Sequence, residues 1–138
     1  MQKRRAVFLD RDGVINGLIY HRDHGIVDSP FTLRQFSVLP KVPQAIRLLN
    51  DLGFAVVVVS NQPGVAKRHF EVDLLRKFET KLHRALSETV HIDATYYCLH
   101  HPDANVRKYR KDCGCRNHLR ACFDRQRMDG AYLFRSHT

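Results

Sequence analysis

The chain has 138 residues, 43% hydrophobic and 27% charged, which predicts one globular domain and excludes disordered and collagen-like architectures. The longest apolar run, 54–59, is too short to cross a bilayer, and the apolar start at residues 6–9 is cut by Asp10, so neither a membrane span nor a secretory leader is expected. The net charge of +9 invites a polyanion as partner: nucleic acid, a membrane surface or a phosphorylated substrate.

Residues 6–9 predict a short buried strand that ends in acidic residues. Residues 17–40, with Gly, Pro, Asp and Ser among scattered aromatics, predict a long loop or flap. Ala45, Ile46, Leu48 and Leu49 recur at helical spacing, and Gly53 can end that helix. Residues 54–59 are β-branched and apolar on both faces, as a central parallel strand requires. Ser60-Asn61-Gln62-Pro63-Gly64 breaks the pattern. Leu75, Phe78, Leu82 and Leu86 share one face of a second helix, and residues 92–97 predict a third strand leading into Cys98. Strands alternating with helices imply right-handed parallel crossovers and an α/β fold. Polar residues at the carboxyl ends of the first two strands then converge on one crevice.

Asp10 and Asp12 stand two apart, so in extended backbone their carboxylates point the same way. Held together they repel, and both stay ionised only beside a cation such as Mg²⁺. One could attack phosphorus while the other handles the proton of the leaving oxygen. On spacing alone the pair fits a polar strand exit better, with Asp12-Gly13 as ordinary turn chemistry, and Ser60 alone fits a helix cap or turn residue. Four cysteines are present: Cys98, Cys113, Cys115 and Cys122. Cys98-x-His100, twelve residues and Cys113-x-Cys115 suit a closed tetrahedral Zn²⁺ site. Two free thiols beside a reducible Cys-Gly-Cys fit the same spacing, and His101 is an alternative imidazole. Cys122 lies outside the pattern.

Phe8-Leu9-Asp10-Arg11-Asp12-Gly13-Val14-Ile15-Asn16 resembles the first motif of the haloacid dehalogenase (HAD) phosphatases. Val57-Val58-Val59-Ser60-Asn61-Gln62-Pro63-Gly64-Val65-Ala66 resembles the second, in the form used by the branch that acts on heptose bisphosphate and histidinol phosphate. The resemblance covers residues 5–116. It implies a Rossmann-like HAD fold with a parallel sheet and a zinc-binding loop over residues 98–115. It implies Mg²⁺-dependent hydrolysis of a phosphomonoester through an aspartyl-phosphate on Asp10. Asp10 and the Asp12 main chain would ligate Mg²⁺, and the Asp12 side chain would act as acid and base. Ser60 and Asn61 would hold phosphoryl oxygens, with Arg11, Gln62 and Pro63 on the substrate side. The segment His24, Gly25, Ile26 and Val27 resembles the branch's substrate loop, and Arg116 would contact substrate phosphate. Cys98, His100, Cys113 and Cys115 would hold Zn²⁺. The implied substrate is a small sugar bisphosphate of the heptose 1,7-bisphosphate type, with histidinol phosphate second. A cytoplasmic monomer that binds neither nucleic acid nor membrane is expected.

After Arg116 the pattern stops. The branch continues with Lys-Pro and later an acidic metal-binding motif, whereas this chain reads Asn117-His118-Leu119 and ends at Thr138. Permitted codons for residues 117–138, read one nucleotide earlier, can spell Lys-Pro-Pro-Ser-Gly-Met and further family-like sequence. The expectation is therefore a partial phosphatase core over 1–116 and a frameshifted tail over 117–138, with weak or absent activity. A dead remnant or a basic zinc module for nucleic acid are the alternatives. Residues 107–116 and 117–138 contribute +4 and +2 of the net charge, so the charge is local and is no argument for nucleic acid.

Overall fold

The computed structural model describes residues 4–110 and the backbone of 131–135. The apolar run forms β4 (Ala55–Asn61), where Val56 and Val58 are fully buried while Val57 and Val59 are partly covered from the other face. Such two-sided cover is what a strand inside a parallel sheet needs. On one side β4 pairs in parallel with β1 (Ala6–Leu9), matching Phe8 with Val57 and Leu9 with Val58. On the other it pairs in parallel with β5 (Ala94–Cys98), matching Ser60 with Tyr97 and Asn61 with Cys98. The carboxyl ends of all three strands thus lie along one sheet edge.

The expected parallel sheet is present in β1, β4 and β5, and one further strand joins it. β6 (Ala131–Arg135) adds antiparallel to β5, so the sheet is mixed, with order β1-β4-β5-β6. β6 falls in the segment anticipated as an atypical tail. It extends the far side of the sheet, leaving β1 as the other edge among the described residues, with Phe8 57% exposed.

The segment 17–40, expected as loop or flap, carries an antiparallel hairpin of β2 (Ile19–His21) and β3 (Ile26–Asp28). Gly25 takes a positive φ of 62° at its turn. α1 (Val42–Asp51) begins with proline in its first turn and is followed by Gly53 at φ 77°, which lets the chain reverse into β4. Its apolar face is narrower than the spacing suggested: Ile46 is buried and Leu49 partly covered, but Leu48 is 59% exposed. After β4 a single turn, α2 (Pro63–Ala66), follows, then α3 (Asp73–Ala85). Leu75, Phe78 and Leu82 of α3 are fully buried, with Leu86 just past its end, as their spacing predicts. Each such side chain contributes about 1.5–3 kcal/mol on burial. Phe36 stacks on Phe78 with ring centroids 4.8 Å apart and ties the segment after the hairpin to this core.

Candidate active site at the strand ends

β1 delivers Asp10 and Asp12 to the sheet edge. After them the chain turns sharply at Gly13, whose φ of 81° suits a residue without a side chain. The Arg11 carbonyl accepts the amides of Ile15 at 2.8 Å and Asn16 at 3.1 Å, so the turn is closed by backbone bonds. Asp10 opens to solvent and accepts the Arg11 amide at 2.7 Å. The protein wall on its inner side strips enough water to push its carboxyl above the ordinary carboxylate range. The charge of Asp12 pushes the same way, while bonds to the Arg11 amide and the Ser60 hydroxyl oppose it. β4 brings Ser60, 2% exposed, to the same place. The expected convergence of Asp10, Asp12 and Ser60 is therefore present in the geometry.

Asp12 is gripped from three sides. Arg11 Nη2 donates to its two oxygens at 2.9 and 3.2 Å, Asn16 Nδ2 donates at 3.0 Å, and Gln62 Nε2 donates as well. Two expectations are corrected here. Arg11 does not face solvent at the strand ends: its side chain is fully buried and points into the core, where Nη1 donates to Tyr97 Oη at 3.3 Å. The guanidinium carbon also lies 5.1 Å from the Phe78 ring centroid. Gln62 is likewise fully buried, and donates to Asp12 and to Ser60 Oγ at 3.0 Å rather than lining a substrate surface. Both turn inward because Asp12, an acid only 13% exposed, needs donors on its inner side. Gln62 Oε1 and Asn16 Oδ1 remain buried without a protein partner, so uncommitted oxygen acceptors flank the pair of acids.

Asn61 and Pro63 complete the turn. Asn61 Nδ2 donates to the carbonyls of Cys98 at 3.3 Å and His100 at 3.5 Å, and the Gln62 amide donates to Cys98 O at 2.7 Å. Pro63 opens α2. Gly64 behind it is fixed by packing: a β-carbon there would meet Phe70 Cε1 at 2.4 Å.

The hairpin packs on the segment after α2 through aromatic contacts. His24 stacks on His69 at 5.3 Å, Phe31 lies 4.4 Å from His69, and His21 stacks on Phe31 at 3.7 Å. His24, Gly25, Ile26 and Val27 are all exposed at the hairpin turn. His69 was missed by the sequence reading because no motif spacing links it to residue 24. Glu79 was missed too, although a charged residue four after Leu75 on an apolar helix face does signal a buried partner. Glu79 accepts the Tyr97 hydroxyl and Thr95 Oγ1, the latter at 3.1 Å.

Of the expected zinc ligands, Cys98 Sγ and His100 Nδ1 lie 3.6 Å apart, both buried. His101 Nδ1 instead accepts the Asp103 amide at 3.1 Å. Cys113, Cys115 and Arg116 lie outside the described residues. Among those residues no group of three or more His, Cys, Asp or Glu is arranged to hold a metal. Nor is any helix long and apolar enough to cross a membrane.

No family model matches the chain. The chain is 38% identical over 112 residues to D-glycero-beta-D-manno-heptose-1,7-bisphosphate 7-phosphatases of Photorhabdus laumondii and Escherichia coli K12. These matches cover 80% of this chain and 55% and 54% of those proteins. The enzyme of the same name from Haemophilus influenzae is 34% identical over 113 residues, covering 81% of this chain and 56% of that protein. The chain thus spans about half the length of the curated relatives it matches. Among solved structures, a HAD-like phosphatase from Mesorhizobium loti matches with a TM-score of 0.62 and 29% identity, over 75% of this chain and 46% of that one. The D,D-heptose 1.7-bisphosphate phosphatase from B. bronchiseptica, complexed with magnesium and phosphate, matches with a TM-score of 0.61 and 28% identity, over 87% of this chain and 64% of that one.

Proposed function

We propose, for a chain whose sequence relatives are heptose-1,7-bisphosphate 7-phosphatases and whose structural neighbours are HAD-like phosphatases, that it is built to hydrolyse a phosphomonoester of a small sugar bisphosphate. The observation that carries this reading is the meeting of Asp10, Asp12 and Ser60 at the carboxyl ends of adjacent parallel strands. Asp10, open to solvent, is the nucleophile. Its carboxylate oxygen bonds to phosphorus as the ester P–O bond breaks, and Asp12, entering the step protonated, gives that proton to the leaving sugar oxygen. Asp12 then takes a proton from water as that water's oxygen bonds to phosphorus and frees Asp10 and inorganic phosphate. Ser60 and Asn61 hold phosphoryl oxygens; the hairpin segment 24–27 and Arg116 contact the substrate.

Magnesium, when bound, neutralises charge gathered on the transferring phosphoryl group. The Asp10 carboxylate and the Asp12 main-chain carbonyl are the oxygens that would hold it. The donor set fits a hard cation: it is all oxygen, and the Asp10 carboxyl is pushed upward by the protein wall on its inner side and by its acidic neighbour, a condition a cation relieves. Cys98 and His100, side by side, would hold a structural zinc together with Cys113 and Cys115. In this reading residues 1–116 form the phosphatase core and 117–138 a tail that departs from the family.

Phosphate release from heptose 1,7-bisphosphate, with histidinol phosphate in parallel, tests the proposal on the whole chain with Mg²⁺. The expected result is weak Mg²⁺-dependent release by the wild type that falls to background in Asp10→Asn. No release above background from either substrate, or equal release by the variant, overturns it.

A further inference from the structure

Away from the strand ends, α3 carries a second feature that the phosphatase reading does not use. Lys77, Thr80, Lys81 and Arg84 stand at spacings of three and four residues, on the helix face opposite Phe78 and Leu82. Leu33 and Arg34, from the segment between the hairpin and α1, form the facing wall. The groove between them encloses about 530 Å³, within the range of small-molecule sites. Four of its six lining residues are cations and none is acidic. Lys81 Nζ donates to the Leu33 carbonyl at 3.0 Å and so fixes the width of the groove. Lys77 is 3.4 Å from Asp73, an exposed pair that screens it weakly. Arg34 and Arg84 have no acidic partner among the described residues.

Like charges at helical neighbour positions destabilise a helix, and a bound anion offsets that repulsion. A plain solvated helix face spreads its charges; here a loop adds a fourth cation across a groove and a lysine closes it. The alkyl stems and Leu33 give the groove an apolar floor beneath charged tips. Guanidinium groups at its two sides match phosphate oxygens in paired hydrogen bonds. We infer that this groove binds a small ligand carrying two or more phosphate groups, at a site separate from Asp10. Two sources share that chemistry, an inorganic polyphosphate and a nucleotide.

Calorimetric titration of the whole chain with tripolyphosphate and with ADP tests this. The expected result is saturable binding of one ligand per chain that weakens with added salt. Arg34→Ala/Arg84→Ala should weaken it at least about tenfold. Arg22→Ala/Arg107→Ala removes the same charge from exposed positions elsewhere and should leave it within about twofold. Asp10→Asn should also leave it. Arg84→Gln alone, at an exposed helix position, serves where the double variant is unstable. Tighter binding of ADP assigns a nucleotide; equal or weaker binding assigns inorganic polyphosphate. No saturable binding, many ligands per chain, equal loss in both double variants, or loss in Asp10→Asn overturns the inference.

Discussion

Arg11 holds Asp12 from behind: its Nη2 reaches both carboxylate oxygens, at 2.9 and 3.2 Å, while the guanidinium is shut off from water. Removing one member of a buried pair leaves the other charge uncompensated. Arg11→Met should therefore cost about 3–5 kcal/mol in urea unfolding. A loss below about 1 kcal/mol would show that the pair contributes little to the core.

Tyr97 links that pair to α3. Its hydroxyl accepts from Arg11 and donates to Glu79, and burial, reinforced by Glu79 against the pull of Arg11, keeps it protonated far above the ordinary tyrosine range. Tyr97→Phe keeps the ring and strands both partners, so it should cost about 1–3 kcal/mol. In a cycle with Arg11→Met the two losses should be less than additive, because both variants break the same chain of bonds. Simple additivity would show that the links act independently.

Gly64 marks a place where backbone and ring meet. Gly64→Ala puts a β-carbon 2.4 Å from Phe70 Cε1, and the ring must move within a packed core. The expected loss is about 1–3 kcal/mol, read from thermal or denaturant midpoints. Phe70→Leu in the same chain should recover part of it by making room.

The hairpin should loosen in acid. Burial first, then the neighbouring His24, with Lys67 and His21 adding and Asp28 opposing, hold the His69 imidazole below the ordinary histidine range. The unfolded form therefore takes up the proton first as pH falls. The contribution is whole above the unfolded value near 6.5 and is lost as pH drops through the lower folded value. Amides of Ile26–Asp28 should exchange faster at pH 5 than at pH 7.5 after correction for intrinsic rates, and His69→Phe should flatten the difference. An unchanged profile in that variant would remove His69 from the account.

Metal content is the direct check on the zinc proposal. Purified chain should carry one equivalent of zinc, and Cys98→Ser should lose most of it and lower the melting temperature. Retention of a full equivalent by that variant would place the ion elsewhere.

How much was legible in the sequence follows from the range of each interaction. The strand 54–59 and the helix face of Leu75, Phe78 and Leu82 were readable because periodicity depends only on near neighbours in the chain. Asp10, Asp12 and Ser60 were readable as site candidates because motif spacing and strand ends are local features, and parallel pairing then has one way to bring them together. Leu48 broke the pattern because exposure depends on what packs against a helix, and nothing described covers that side. The orientations of Arg11 and Gln62 were hidden for the same reason. A polar side chain turns toward whatever donor or acceptor the distant chain supplies, here Tyr97 for Arg11 and Asp12 for Gln62, which lie 86 and 50 residues away. The sequence by itself determined which chemistry could gather at the strand ends. Only the tertiary structure decided which of those groups face solvent and which stand behind Asp12, because burial and hydrogen-bond demand are set by contacts that no local pattern records.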